Sequence, residues 1–344
     1  MEFGVWLGAA LVVAGGVLQG TFAVPMKYTR YWKHENIWLV FAVTGLVLFP
    51  WALTAAAVPS LPSIYSATSW KCLSAIIGFG VGWGIGATLT GLGLNMLGIG
   101  LGFAIILGLS ASIGSLVPLL VLTPGRFFSA EGYYYLAGTA VMLVGLVIVA
   151  LAGCLRERSA RKQGGPESKA TAKSSFVAGL LVCIAAGILS SMLNFCFAFG
   201  AEAIENARRF GASAIWASNV AAAPGTTGGF LANAAYCGYM MRQNGSGRNF
   251  LLAGTAGHWL LGVAMGAFWY GGLAVYGIGI NRMGNFGTVV GWPVLMGTII
   301  VSSNVAGLVT GEWEQADHKA RTYLFAGCIV ILLALLVLAM AQSK

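Results

Sequence analysis

Ten mostly apolar stretches divide this 344-residue chain, near 3–25, 36–58, 71–95, 99–122, 132–153, 175–200, 213–240, 250–278, 286–309 and 321–342. A helix needs about 20 apolar residues to cross the hydrocarbon core of a bilayer, and a tilted strand only about 10. The stretches therefore have the length of helices. Helices also satisfy their own backbone hydrogen bonds, which lipid cannot do for them. Pro25, Pro59, Pro62 and Pro124 mark several of the ends. With 58% apolar and 8% charged residues, too few polar groups remain to coat a water-facing surface. Fifty glycines suit membrane helices, where small residues let backbones approach. The fold class is an all-α polytopic membrane protein of ten transmembrane helices. Glu2 stands where a cleaved signal peptide would carry basic residues, so the first stretch reads as a retained helix.

The net charge of +9 comes from Lys and Arg placed between the apolar stretches. No basic patch interleaved with aromatics occurs, so the partner implied is the lipid bilayer and not nucleic acid. Residues 154–174 form the long polar stretch and read as a linker between two halves, 1–153 and 175–344. Ten spans leave both termini on one side. Thirteen basic residues fall in the loops of the opposite side, Lys27, Arg30, Arg156 and Arg158 among them, against six on the termini side. The positive-inside rule then places the linker in the cytoplasm and both termini in the periplasm of a bacterial inner membrane.

The two halves resemble each other. GVGWGIGATLTGLGLNMLG at 80–98 aligns without gaps on GAFWYGGLAVYGIGINRMG at 266–284. Gly80/Gly266, Trp83/Trp269, Gly86/Gly272, Gly91/Gly277, Gly93/Gly279, Asn95/Asn281 and Gly98/Gly284 coincide. VAGGVLQG at 13–20 echoes IAAGILSS at 184–191 more weakly. The third stretch thus matches the eighth and the first matches the sixth. Partners five spans apart cross the membrane in opposite directions. Two inverted-topology five-helix repeats are the architecture of many alternating-access transporters. Convergent glycine patterning in two crowded helices would leave the same trace.

Polar groups in hydrocarbon are costly, and they face a cavity or one another. Gln19, Ser190, Asn194, Asn219, Trp259, Tyr270 and Trp292 fall within the stretches, as do Ser110, Ser112, Ser191, Asn233, Ser302, Ser303 and Asn304. Amides and hydroxyls dominate, and carboxylates are missing from span centres. That lining suits a small neutral polyol better than a cation. Trp83 and Trp269 could bracket a central cavity and offer ring faces to the C–H faces of a sugar, or could simply pack on glycines. His258 lies about 12 Å inside its stretch at 1.5 Å per residue. It could carry a coupling proton, touch cargo or serve structure. Glu35 and Glu205, at span ends, are further proton-coupling or gate candidates. The candidate cargo site is therefore Gln19, Trp83, Ser190, Asn194, Asn219, His258, Trp259, Trp269, Tyr270 and Trp292. Spans 1, 3, 4, 6, 8 and 9 are expected to line it, with 5 and 10 peripheral.

No P-loop, HExxH, GxSxG or EF-hand pattern is present. The six cysteines form no CxxC pair, and only three histidines are available. The expectation is a transporter, not an enzyme, with no cofactor and no metal, as a monomer or a homodimer.

Several stretches resemble the L-rhamnose–proton symporter family of the drug/metabolite transporter superfamily. They are PMKYTRYWKHENIW at 25–38, PWAL at 50–53, GWGIG at 82–86, GLGLNMLGIGLG at 91–102, FWY at 268–270 and GLVTGEW at 307–313. The resemblance implies proton-coupled uptake of L-rhamnose or a similar deoxyhexose, with periplasmic termini. AAAPGTTGGF at 221–230, with Pro224 mid-span, departs from that pattern. Export or import of another small neutral metabolite is the alternative reading.

Overall fold

The structure is a computed structural model and describes residues 2–162, 173–284 and 287–340. Those residues contain helices and no strand. The long helices are α1 (Glu2–Thr21), α2 (His34–Ala57), α4 (Trp70–Leu97), α5 (Ile99–Leu122), α6 (Ala130–Lys162), α7 (Lys173–Ser190), α10 (Asn219–Asn244), α11 (Ala256–Arg282), α12 (Gly287–Val309) and α13 (His318–Met340). Three short ones, α3 (Leu61–Ala67), α8 (Met192–Ala198) and α9 (Ala201–Arg209), complete the set. The chain is a multi-pass membrane protein.

Local chemistry explains the breaks. Ser69 caps α4, its Oγ accepting from the Cys72 N–H at 3.2 Å. Gly98, at φ +86°, turns the chain from α4 into α5 where a side chain would be strained. Pro50 has no N–H to return to Leu46. The ladder of α2 widens one turn ahead of it, over Thr44–Leu48, and the Phe49 N–H reaches back to the Thr44 carbonyl. The expected span 175–200 is interrupted at Ser191 and resumes as α8. Beyond it α9 opens with Glu202 and ends on Arg208 and Arg209, the order the helix dipole favours. The expected linker is helical as far as Lys162, its residues 163–172 lie outside the described residues, and its last two, Lys173 and Ser174, open α7.

Nine described helices are long and apolar enough to cross a bilayer. The expected span 213–240 is a helix, Asn219–Asn244, but it is not among those nine. It carries Pro224, Thr226, Asn233 and several glycines, most of them buried. A helix wrapped by protein does not need a lipid-compatible surface.

Two glycine-rich helices organise the packing. Helix α4 lies against α7 and α10, and α11 lies against α1 and α2. Helix α5 packs on α7 and α12 on α1, while α6 pairs with α13 and α5 meets α12. Most glycines of α4 and α11 meet backbone or side-chain atoms of the neighbouring helices with no room for a methyl. A methyl at Gly86 would stand 2.8 Å from the Ser190 nitrogen, and one at Gly93 2.7 Å from the Cys183 sulfur. A methyl at Gly272 would stand 2.6 Å from the Gly15 carbonyl, and one at Gly279 2.7 Å from that of Gly8. Gly80 abuts Gly225 of α10, and Gly266 abuts Gly45 of α2. Where α4 faces α11, Trp83 stacks on Trp269 with ring centroids 5.2 Å apart.

Gly272→Ala is expected to cost about 1–3 kcal/mol by overpacking and to lower the apparent melting temperature in detergent by several degrees. Gly271→Ala, whose added methyl meets nothing within 4 Å, is expected to leave it unchanged.

Candidate functional site

Helices α1, α5, α6 and α12 line a cavity of about 440 Å³. Gln19 of α1 and Ser303 and Asn304 of α12 are its polar lining within the spans, among the described residues. Phe22, Phe103, Leu107, Leu146 and Ile299 supply apolar walls. Lys27, Arg156, Glu312 and Trp313 line its mouth. The residue types follow from the helices. Gln19 lies one turn from Gly15, where α1 meets α11 so closely that the amide reaches across. Its Nε2 donates to the Trp269 carbonyl at 3.3 Å. Asn304 donates to the Ile300 carbonyl at 2.8 Å, and Ser303 to the same carbonyl at 3.0 Å. Each amide thus uses a donor on the backbone, and its oxygen is available to accept from a hydroxyl.

The mouth is charged. Lys27 forms an ion pair with Glu312. Arg156 approaches the other carboxylate oxygen at 3.4 Å, and its guanidinium lies 4.9 Å above the Trp313 ring. These contacts join the turn after α1, helix α6 and the loop between α12 and α13. A larger hollow, about 920 Å³, runs along α1, α11, α12 and α13. It is an apolar groove lined by residues such as Val13, Val17, Phe268 and Val305, which are exposed on the helix flanks. It carries little that could orient a polar cargo.

The opposite end is held by buried hydrogen bonds. Asn194 of α8 is fully buried; its Nδ2 donates to the Gly114 carbonyl of α5 at 2.8 Å and to the Thr288 carbonyl of α12 at 2.9 Å. Its Oδ1 accepts from the Tyr276 hydroxyl of α11 at 2.6 Å. One amide therefore ties four helices. Beside it the Trp292 indole donates to the Ser110 carbonyl at 2.9 Å. Nearby, the Tyr270 hydroxyl donates to Asn219 at 2.7 Å.

The expected cargo residues are thus dispersed. Gln19 lines the cavity. Trp83 and Trp269 form the stacked pair beneath its floor, where the Trp269 carbonyl holds Gln19. Asn194, Asn219, Tyr270 and Trp292 belong to the opposite end, and Ser190 packs its backbone on Gly86. His258 is not deep in a span: α11 begins at Ala256, which puts it in the first turn. There it accepts the Arg30 N–H at 3.3 Å and lies between Tyr31 and Trp32. Trp259, 45% exposed, packs edge-on to Trp32 outside the cavity. Glu35 is buried and accepts from Asn244 at 2.9 Å and Ser246 at 2.5 Å, clasping the loop after α10. Glu205 sits at the far end, half exposed beside Arg208 and Arg209.

The lining helices also differ from those expected. Helix α6, the fifth span and expected to be peripheral, forms one wall through Leu146, Val149, Ala150 and Gly153. Its small and apolar lining residues leave no polar stripe to read. Spans 3, 6 and 8 contribute no lining side chain. Lys27, Arg156 and Glu312 were legible only as loop charges. GLVTGEW at 307–313 contains both Glu312 and Trp313, and that stretch was the available signal for the mouth.

A family model described as L-rhamnose-proton symport protein (RhaT) matches residues 1–343. An L-rhamnose-proton symporter of Escherichia coli O1:K1 / APEC is 26% identical over 343 residues, covering 97% of both chains. That of Escherichia coli (strain SMS-3-5 / SECEC) is 26% identical over 353 residues, covering 100% of both. That of Shigella dysenteriae serotype 1 (strain Sd197) is 26% identical over 346 residues, covering 97% of both.

Tyr276→Phe leaves the Asn194 oxygen buried without a donor. It is expected to destabilise the protein by about 1–3 kcal/mol, read as a lowered melting temperature in detergent.

Proposed function

The chain belongs to the L-rhamnose-proton symport protein family, and we propose that it takes up L-rhamnose or a similar deoxyhexose together with a proton, by alternating access across a bacterial inner membrane. The observation that carries this reading is the one-ended cavity. Its volume, about 440 Å³, is in the range of small-molecule sites. A deoxyhexose presents hydroxyls on one part of the ring and a methyl group with C–H faces on another. Gln19, Ser303 and Asn304 answer the hydroxyls, while Phe22, Phe103 and Trp313 answer the apolar faces. No carboxylate stands among the polar groups within the spans of this cavity, which fits a neutral cargo better than a cationic one.

Alternating access rests on a proposed inverted repeat, 1–153 against 175–344, joined by 154–174. The packing supports it. Exchanging α1 with α7, α2 with α10, α4 with α11, α5 with α12 and α6 with α13 carries the extensive helix contacts onto one another, while the small α10–α11 and α6–α12 contacts have no counterpart of similar extent. Gly86 on Ser190 corresponds to Gly272 on Gln19, and Gly93 on Cys183 to Gly279 on Val12. Gly80 on Gly225 corresponds to Gly266 on Gly45. In that scheme the Asn194 tie closes one mouth while the Lys27 end stands open. Charge supports a cytoplasmic open end, since thirteen of the nineteen basic residues fall in the loops on its side. Divergence at 221–230 lies on α10, which does not line the cavity, so it bears on packing against α4 and not on the cargo.

Purified protein in proteoliposomes is expected to accumulate labelled L-rhamnose when an inward proton gradient is imposed, and to lose that accumulation with a protonophore. Uptake equal to protein-free vesicles would refute the reading. Gln19→Ala and Asn304→Ala are each expected to raise the half-saturating sugar concentration about tenfold, the equivalent of one hydrogen bond near 1.4 kcal/mol. Trp259→Ala, outside the cavity, is expected to leave it unchanged.

A further inference from the structure

We propose that Glu312 is the side chain that carries the coupling proton; this deepens the symport reading of the same cavity and rests on it. A coupling proton must exchange at a group that shares the cargo's compartment. Among the described residues lining the cavity, the ionisable side chains are Lys27, Arg156 and Glu312. Lysine and arginine stay charged in ordinary aqueous conditions, arginine without exception. That leaves one carboxylate in position to gain and lose a proton. The other titratable candidates lie elsewhere. His258 is held by the Arg30 N–H outside the cavity, Glu35 is clasped beneath Asn244 and Ser246, and Glu205 faces water at the opposite end.

The surroundings of Glu312 show what a proton would change. Its two oxygens are held by different parts of the molecule, one by Lys27 from the turn after α1 and the other by Arg156 from α6. The remaining charged groups near it belong to its own loop and to α13. Arg321 donates to the Trp313 carbonyl at 2.8 Å and to that of Glu314 at 3.0 Å, and Asp317 accepts from the Ala320 N–H at 2.7 Å. Glu314 lies against Gly311. None of these competes for the Glu312 carboxylate. With the anion present, Lys27 and Arg156 tether the α12–α13 loop to α1 and α6 across the mouth. A proton bound to either Glu312 oxygen removes the negative charge that both cations share, which leaves Lys27 held by the Thr310 hydroxyl and Arg156 by the Trp313 ring face, and so loosens the three elements. The side chains of Lys27, Glu312 and Arg156 are 35%, 43% and 20% exposed, so a proton leaving Glu312 has a path to water.

The test compares gradient-driven accumulation of L-rhamnose with counterflow exchange at equal pH, both on the full chain in proteoliposomes. Glu312→Gln keeps the shape and the acceptor oxygen but cannot exchange the proton. It is expected to lose proton-driven accumulation by at least tenfold while counterflow stays within twofold of the unaltered protein. Glu312→Asp is expected to recover accumulation. A Glu312→Gln protein that accumulates sugar as the unaltered protein does would overturn the assignment. So would loss of counterflow together with accumulation in both variants, the mark of a structural role. If the unaltered protein moves no L-rhamnose in either assay, the sugar reading falls, and the assignment falls with it.

Discussion

Everything in this molecule depends on how closely α4 and α11 approach their neighbours. In hydrocarbon there is no hydrophobic force to press helices together, so packing must come from shape. Glycine removes the side chain at each crossing, and the backbones of α1 and α11, or α4 and α10, meet directly. That approach lets side-chain amides reach carbonyls on another helix. Gln19 reaches Trp269, and Asn194 reaches both Gly114 and Thr288. It also sets the stacked Trp83–Trp269 pair between α4 and α11. The cavity is lined by α1, α5, α6 and α12 beside these crossings.

The polar groups follow from the same constraint. A polar side chain in lipid needs a partner inside the protein. At the end opposite the cavity the partners are all protein: the Asn194 amide, the Tyr276 hydroxyl and the Trp292 indole bond to one another or to carbonyls. In the cavity each amide of Gln19 and Asn304 spends a donor on a carbonyl, and in the proposed cycle its oxygen would meet the cargo. The proposed transport cycle exchanges these two conditions between the two ends. On that proposal, bonds that close one end would break as equivalent bonds form at the other, and an inverted repeat would let both arrangements have similar energy.

Much of this was legible from apolar run length. The membrane class and the helix positions follow from it, because lipid permits few alternatives. Register placed Trp83 and Trp269 at matching positions of the two aligned segments, but it left open whether they bracket a cavity or pack on glycines, and their stacking on each other was not legible. What could not be read was which polar residues face a cavity. Asn194 and Gln19 look alike in sequence, yet one is tied to three helices and the other faces open space. The difference lies in which end is held by these bonds, a property of conformation and not of composition. His258 was misplaced in depth because the chain before Ala256 is apolar without being part of α11. Glu312 carries no local signal of its place, since nothing near it in sequence shows that Lys27, 285 positions earlier, folds back onto it.

The most direct test of the one-ended cavity is side-specific labelling. Ser303→Cys, in a background without the six native cysteines, would be reacted with a membrane-impermeant maleimide in right-side-out and inside-out vesicles. Labelling in inside-out vesicles, slowed by L-rhamnose, is the result predicted for a cytoplasm-open cargo cavity. Labelling in right-side-out vesicles alone, or labelling that L-rhamnose leaves unchanged, would contradict it.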